Sequence, residues 1–508
     1  MSKTAQRIFF VLYGLLIGVG VGLRFCFWNI PYEYDEIFTA VTADPTLPLG
    51  WIWSHWLLVD VHPPLHNILL WLYNHVVPYG PEAWLRLPSV LLGLCSLLLA
   101  WCWFPKRWGK MARLMFVSML ATQAYGIFYG QHARPYALLQ CLSVPFLFLF
   151  LNLSQMVRKN KKISAGTWIV FAFLSLLLCW SHYFGALLFG VCSVWLLVQA
   201  IYYHRRITAF VLVPCAVFCL FLPWLIPNLQ ANFALQRFNG SWWANTVPHP
   251  RLFPSLIVFF FSSYWGGGAL AGVMAAALVF GLRRWRRTGC LAFKREILLL
   301  AAVLASAALI SVLISLRVYL LFGRYFMGFV PFLYLLMVFL LLPLCRRSRL
   351  ASLAFVFFLA SSAHMAIGFW QVTTRTVFLP SRLSMYSFVK HWPGKELFVV
   401  AMEAFPPASM EAMYGFYPNR VFGKNVRVTE LWQLDEIKRE AALARRDEAV
   451  IWMPNCSEKK LGLLSKTWER AVGVDAKVGN TCFLKLTEKG NFEPPAQWGA
   501  VRRLGGER

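Results

Sequence analysis

Acidic and histidine side chains are concentrated in two short stretches near the beginning of a very apolar chain. YEYDEIF at 32–38 contains Asp35 and Glu36, and DVHPPLHNILLW at 60–71 contains His62. A carboxylate in such a stretch can take a proton from an attacking hydroxyl group. Ionisable side chains close to hydrocarbon are costly and are usually functional. The two stretches are therefore the first candidates for a catalytic or binding site.

Arginine and histidine residues later in the chain supply complementary chemistry. Arg134 lies in YGQHARPYALLQCL, His182 in SHYFGALL and Arg324 in RYFMGFVPFLYLL. Arginine can hold and neutralise a phosphate, preferably through two parallel hydrogen bonds. Each residue also has a structural interpretation, the arginines as anchors that extend to lipid headgroups and His182 as a helix cap. Together, the acids and the arginines favour a reaction in which a hydroxyl attacks and a phosphate departs.

The composition indicates that these residues lie in a membrane protein. Of the 508 residues 59% are hydrophobic and 14% are charged, whereas a soluble domain has roughly 45–50% and about 25%. The net charge of +27 arises mostly in short loops between apolar runs, which is typical of cytoplasmic loops and does not indicate a nucleic-acid partner. The 12 cysteines include no CxxC pair, so neither a zinc cluster nor a redox motif is predicted. Cys456 and Cys482 either form a disulfide outside the cytoplasm or remain two buried thiols.

The apolar runs predict an α-helical polytopic protein of the cytoplasmic membrane with about eleven spans. All basic loops face the cytoplasm if the N-terminus is inside and the C-terminus is outside. The apolar segment 65–77 is too short to cross, since thirteen residues cover about 20 Å of a core of about 30 Å. We therefore predict that it is a helix embedded in the outer half of the membrane. The predicted spans are 8–29, 84–104, 111–129, 135–155, 166–181, 183–203, 207–225, 256–282, 296–316, 326–344 and 351–370.

The last part of the chain has a different character. Short β-like runs such as ELFVVAM, EAVIWMP, RAVGVDAKV and TCFLKL alternate with helical patterns around 406–416 and 431–446. This alternation predicts a small α/β domain outside the membrane, either periplasmic or extracellular. The predicted domains are 1–370, a transmembrane domain with its chemically active first outer loop at 30–83; 371–492, the α/β domain; and 493–508, a disordered tail.

In this topology the candidate residues converge on the outer face of the membrane, while the cytoplasmic loops hold almost only bases. No nucleotide sugar is available outside the cytoplasm, so a lipid-linked sugar is a natural donor for a pocket that opens there. Two other classes stay open. A transporter or flippase of a lipid-linked sugar would keep its ionisable groups near the membrane midplane, often between inverted repeats. A non-catalytic, receptor-like protein would bind glycan through its outer domain.

A series of motifs, in order, resembles the GT-C superfamily of membrane glycosyltransferases. More narrowly, they resemble bacterial enzymes related to the protein O-mannosyltransferases and to the lipid A sugar transferases. The resemblance covers about residues 1–370 and implies a GT-C-like fold, a polyprenyl-phosphate-sugar donor and inversion at the anomeric carbon. The motifs are YDEIFT at 34–39, DVHPPLHNILL at 60–70, WLRLPSVLLGL at 84–94, YGQHARPYALLQCL at 129–142, SHYFGALL at 181–188 and RYFMGFVPFLYLL at 324–336.

The resemblance also implies roles for individual residues. Asp35 matches the family's catalytic base, and Glu36 lies beside it. Relatives commonly carry an acid where this chain has His132, which disfavours a hard Mg²⁺ site. A transition metal shared by Asp35 and His132 is one alternative and no metal is the other; no nucleotide cofactor is expected. The predicted partners are the polyprenyl-phosphate-sugar donor, the membrane lipids around the chain, and an acceptor that is an envelope glycan, a lipid or a protein. The predicted donor-binding residues are His62, Arg134, His182, Arg324 and Tyr325.

Overall fold

The structure is a computed structural model of the chain. It describes residues 3–26, 28–239, 293–315, 321–373, 388–400, 416–421, 424–431, 436–444, 449–453, 458–468, 472–478, 481–486 and 502–503, with the isolated positions 272, 276, 279, 283, 385, 386, 413 and 434.

Internal contacts divide the chain into two compact units. The helical unit comprises Met1–Trp28, Pro45–Val76 and Leu85–Trp370. The α/β unit comprises Asn29–Asp44, Val77–Trp84 and Gln371–Arg508. The second unit therefore contains two pieces of the first loop as well as the C-terminal part of the chain.

Within the described residues the helices are α1 Lys3–Leu23, α2 Tyr34–Thr42, α3 Leu49–His55, α4 Leu65–Asn74, α5 Glu82–Cys102, α6 Lys110–Thr122, α7 Ala124–Tyr129, α8 Tyr136–Arg158, α9 Ala165–Ser181, α10 Tyr183–Tyr202, α11 Thr208–Asn239, α12 Lys294–Ser315, α13 Val330–Cys345, α14 Arg349–Thr373, α15 Glu436–Leu443 and α16 Glu458–Trp468.

The described helices confirm the predicted helical membrane architecture. By length and composition, seven of them could cross a membrane: α1, α5, α8, α10, α11, α12 and α14. α9 and α13 are shorter apolar helices. The predicted span 256–282 lies almost wholly outside the described residues. The number of about eleven spans therefore stays a prediction.

The predicted span 111–129 is divided into α6 and α7 at Gln123. Buried Arg24 donates hydrogen bonds to the carbonyls of Leu120 and Ala121, at 3.0 and 2.7 Å. These carbonyls lie in the last turn of α6, where a helix leaves its acceptors without intrahelical donors. The break is therefore stabilised by an arginine from the end of α1. Hydropathy does not reveal such a break, because the residues on both sides of it are apolar.

The apolar segment that follows the Pro-Pro pair forms α4, a helix of only ten residues. At 1.5 Å per residue it covers about 15 Å, too little to cross a membrane. The length agrees with the expectation that this segment does not span. His66, Asn67, Leu70 and Asn74 are its buried residues, and their spacing places them on one face.

The C-terminal part of the chain forms the predicted mixed α/β fold. Its strands are β1 Glu396–Val399, β2 Val428–Glu430, β3 Ala449–Met453, β4 Val472–Val478, β5 Thr481–Leu486 and β6 Arg502–Arg503. They form a six-stranded sheet with the order β2-β1-β3-β5-β4-β6. β1 pairs in parallel with β2 and β3, whereas β5 pairs antiparallel with β3 and β4. The four β-like runs of the sequence correspond to β1, β3, β4 and β5. The helical pattern at 431–446 contains α15, and the pattern at 406–416 lies largely outside the described residues.

The structure describes one of the two cysteines of this domain, Cys482. Cys482 in β5 is buried and disulfide-bonded. Cys456 lies outside the described residues, so the pairing of these two cysteines stays a prediction.

Candidate active site

The stretch around Asp60 is fixed in place by an asparagine of α11. A 3₁₀ turn, Leu57–Val59, ends at Asp60. Asn228 donates from Nδ2 to the Asp60 carbonyl at 2.8 Å and to the Leu58 carbonyl at 3.0 Å. Its own side-chain oxygen accepts a hydrogen bond from the Tyr183 hydroxyl. A buried amide with both ends bonded gives the turn a defined position.

His62 lies between an acid and an arginine. Its Nδ1 is 3.1 Å from Arg134 Nη2 and 3.4 Å from Asp60 Oδ1. Because a guanidinium can only donate, Nδ1 accepts in the shorter contact and the imidazole proton is placed on Nε2. All three residues are buried, at 4–6% exposure. The group therefore combines a buried cation, a buried anion and a neutral imidazole.

His182 presents a second neutral imidazole. It lies between α9 and α10 and caps α10, with Nδ1 accepting from the Phe184 amide at 3.0 Å. Burial lowers the pKa of His182 well below its usual value of 6.5, and His62 and the nearby arginines lower it further. Nε2 of the neutral ring therefore carries the proton. This buried N–H has no hydrogen-bond partner in the part of the chain that the structure describes, so it is available to donate to a ligand.

Arg324 and Tyr325 belong to the Gly323–Gly328 turn that precedes α13. The Tyr325 ring is 5.3 Å from the His182 ring and 6.2 Å from the His62 ring, measured between centroids. The His62 and His182 rings are 5.1 Å apart. The Arg324 guanidinium lies 5.8 Å from the Tyr325 ring and 5.9 Å from the Tyr136 ring. The predicted donor-binding residues therefore come together in the helical unit. We call His62, Arg134, His182, Arg324 and Tyr325 the cationic cluster.

Sequence reasoning assigned no role to several residues of this region. Tyr136 lies at the start of α8, and its ring centroid is 6.1 Å from the centroid of the His62 ring. Asn228 holds the Asp60 turn through hydrogen bonds, but it lies in α11, whose sequence predicts an ordinary apolar span. His66 is buried on α4, and burial followed by the charge of Arg134 lowers its pKa to about 3. Asp60 and His66 are recognisable in the sequence as ionisable residues, but only the structure shows which groups surround them.

The acids of the first stretch lie on α2, which belongs to the α/β unit. Glu36 accepts a hydrogen bond from the Glu33 amide at 3.0 Å and forms a capping box at the start of the helix. Glu36 is fully buried, whereas Asp35 is partly exposed. The capping interaction gives Glu36 a structural role. Asp35 lies in the first turn, where the helix dipole stabilises a carboxylate.

The suggested metal site stays a prediction. Among the described residues, no group of three or more His, Cys, Asp and Glu side chains is arranged to hold a metal ion. His132 is buried among aromatic rings, with centroid distances of 4.2 Å to Phe128 and 5.6 Å to Trp370.

Neither a family model nor a curated protein matches the sequence, but solved structures match the fold. ArnT from Cupriavidus metallidurans in the apo state has a TM-score of 0.59 and 14% identity, covering 92% of this chain and 97% of that chain. The same protein bound to undecaprenyl phosphate has a TM-score of 0.55 and 14% identity, covering 95% of this chain and 98% of that chain. An Archaeoglobus fulgidus oligosaccharyltransferase in complex with Zn and sulfate has a TM-score of 0.50 and 12% identity, covering 93% of this chain and 72% of that chain. The chain therefore shares the fold of ArnT and of the archaeal oligosaccharyltransferase, which confirms the resemblance at the level of the fold.

Proposed function

We propose that the chain is a membrane glycosyltransferase that moves a sugar from a polyprenyl-phosphate donor to an acceptor hydroxyl. The observation that carries the proposal is the cationic cluster, with its buried Arg134 and the available His182 N–H. An ArnT structure of similar fold is bound to undecaprenyl phosphate. A lipid phosphate of this kind suits a site of two guanidinium groups and neutral imidazole donors.

The cluster would favour departure of the phosphate. The donor phosphodiester carries one negative charge, and the leaving polyprenyl phosphate gains a second as the bond to the sugar breaks. Arg134 and Arg324 attract the second charge as well as the first, so they stabilise the transition state more than the ground state. Asp60 balances part of the cationic charge before the donor binds.

Asp35 is the proposed base. The acceptor oxygen attacks the anomeric carbon from the face opposite the phosphate and forms the new C–O bond. The old bond between that carbon and the phosphate oxygen breaks, and its electron pair leaves with the phosphate. The hydroxyl proton passes to the Asp35 carboxylate. The configuration at the anomeric carbon is inverted. Glu36 is a weaker candidate because its carboxylate already serves the capping box.

We assign this reaction to the outer face of the cytoplasmic membrane. Arg134 lies two residues before the first residue of α8, and Arg158 is the last residue of α8, at the start of a basic loop. The 23 residues of α8 would cover about 35 Å, enough to separate these two ends by a membrane. If the basic loops are cytoplasmic, the cationic cluster lies at the opposite end of the span.

Binding of undecaprenyl phosphate to the purified protein tests the donor site. Arg134→Ala and Arg324→Ala should weaken binding by about 10–100-fold, because each removes charged hydrogen bonds. Arg205→Ala is the matched control, since Arg205 follows the end of α10 opposite His182 and donates to the Lys161 carbonyl. Equal affinity in all four proteins would contradict the donor site.

The mass of envelope glycolipids and glycoproteins, with and without the chain, tests the transfer itself. A mass increment that disappears in the Asp35→Asn variant would identify both sugar and acceptor. If no increment depends on the chain while a lipid-linked sugar crosses vesicles that contain it, the protein is a transporter and the proposal is wrong.

A further inference from the structure

The described part of the α/β unit includes the helix with the proposed base and a short π-helical turn, Tyr417–Val421, near the sheet. We infer that this turn positions α2, so that the C-terminal domain acts as a positioning module for Asp35. The inference rests on the proposed function where it concerns Asp35. Its structural part, the attachment of α2 to the turn, stands independently.

The start of α2 is attached through Tyr417. The Tyr417 hydroxyl accepts a hydrogen bond from the Tyr32 amide at 2.6 Å. The Tyr32 ring packs against the Phe416 and Tyr417 rings, with centroids 5.7 and 6.2 Å away. Tyr32 is two residues before the first residue of α2 and is buried. The chain therefore enters α2 from a backbone position fixed by the turn.

The end of α2 is attached through Arg420. Arg420 Nη2 lies 2.7 Å from Oδ2 of Asp44, whose side chain is only 7% exposed. Asp44 follows the C-terminus of α2, where the helix dipole disfavours a carboxylate. A buried acid at this end needs a cation close by. Arg420 supplies that cation from the turn.

The second piece of the first loop completes the attachment. The Tyr79 hydroxyl donates to the Ala40 carbonyl at 2.8 Å in the last turn of α2. Its ring lies 5.9 Å from the Arg420 guanidinium. The neighbouring Gly80 has φ +121°, and a Cβ there would be 3.4 Å from the Arg420 carbonyl. The loop and the turn are therefore in van der Waals contact here, and the positive φ of Gly80 favours glycine at this position.

The turn is in its own right fixed to the sheet. Asn419 donates from Nδ2 to the Val426 carbonyl at 3.0 Å and accepts from the Val426 amide at 2.7 Å. Val426 lies two residues before β2, which pairs in parallel with β1. A continuous set of contacts thus connects the sheet with both ends of α2. A network of this kind limits the movement of the helix more than any one contact does.

The test compares Arg420→Ala with Arg427→Ala in the full-length protein. Arg427 is the matched control, because it lies in the same domain and pairs with Glu396 at 3.3 Å. Amide hydrogen exchange of residues 34–44 should be about tenfold faster in Arg420→Ala and unchanged in Arg427→Ala. Turnover should fall by roughly 10–100-fold with unchanged affinity for undecaprenyl phosphate, since misplacement of a catalytic group costs this much. Arg420→Lys should recover part of both.

The exchange readout separates this inference from the proposed function. If exchange in α2 is faster in Arg420→Ala but the wild type transfers no sugar, the attachment of α2 to the turn is supported and the role of Asp35 as base is overturned. Unchanged exchange in α2, or faster exchange throughout the protein, would overturn the attachment. Unchanged turnover despite faster exchange would overturn the positioning role. If Arg420→Ala does not fold, Tyr417→Phe removes only the hydroxyl and must show the same changes to a smaller extent.

Discussion

The cationic cluster and helix α2 are built in different ways. The side chains of the cluster come from several elements of the helical unit, and its two histidines are held by their own neighbours: Asp60 and Arg134 flank His62, and His182 accepts a hydrogen bond from the Phe184 amide as the cap of α10. The acids of α2 come from one nine-residue helix in the α/β unit. That helix is too short to be stable alone, so its position depends on the contacts at its ends.

The difference suggests separate tasks for the two regions. A set of buried and half-buried side chains from many elements is suited to recognise a fixed group such as a phosphate. A short helix attached at its ends can carry a catalytic residue whose position depends on a second domain. Variants of the cluster should therefore change donor binding, and variants of α2 or of its attachments should change turnover.

The largest effect is expected from Asp35→Asn. The amide keeps the shape of the carboxylate but cannot accept the proton, so transfer should fall by about 10²–10⁴-fold. Affinity for undecaprenyl phosphate should stay near that of the wild type. Glu36→Gln should lose less transfer and should loosen α2 in hydrogen exchange, because it weakens the capping box. Near-normal transfer by Asp35→Asn together with an inactive Glu36→Gln would reverse the two roles.

Substitution of Arg324 should affect donor binding and turnover together. Arg324→Ala should weaken donor binding by about 10–100-fold. Arg324→Lys should recover only part, since lysine offers a point charge without the planar fork of arginine. Titration with undecaprenyl phosphate gives the affinities, and steady-state transfer gives the turnover. Wild-type values for Arg324→Ala would make Arg324 an interface anchor and leave Arg134 as the main phosphate ligand.

A smaller effect is expected at His182, which has two separable tasks. His182→Asn keeps a good helix cap but cannot place a donor where Nε2 lies, so donor affinity should fall by about tenfold with little loss of stability. His182→Ala removes the cap as well and should cost about 1 kcal/mol more in stability. Donor titration and thermal unfolding separate the two. Equal donor affinity for wild type and His182→Asn would show that Nε2 does not touch the donor.

The cationic cluster could be predicted from sequence because its members are conspicuous in type and local setting. An arginine or histidine at the end of an apolar run, beside Pro or Gly, is unusual enough to be noticed, as with His62, Arg134 and Arg324. The membrane fold and the main strands of the α/β domain followed from hydropathy and from residue periodicity. These signals are local, so one sequence is enough to reveal them.

The supporting contacts could not be predicted, because they join residues far apart in the chain. Asn228 bonds to Asp60 across 168 positions, and Tyr417 bonds to Tyr32 across 385. Nothing local marks an asparagine in α11 or a tyrosine in a C-terminal turn for these tasks. The membership of α2 in the α/β unit was missed for the same reason.

The smallest expected effect concerns the stability of the helical unit, where His66 is buried as a neutral imidazole on α4. Its pKa is lowered to about 3, first by burial and then by Arg134, while Asp60 opposes the shift. The unfolded chain, with a histidine pKa of about 6.5, therefore binds more protons than the folded chain as the pH falls below that value. Stability should be unaffected above pH 6.5 and should fall by about 1 kcal/mol between pH 6.5 and 5.5. Thermal unfolding of His66→Gln should lose this part of the pH dependence, whereas His75→Gln, at the exposed end of the same helix, should keep it. An unchanged pH profile in His66→Gln would show that His66 is not held neutral by its surroundings.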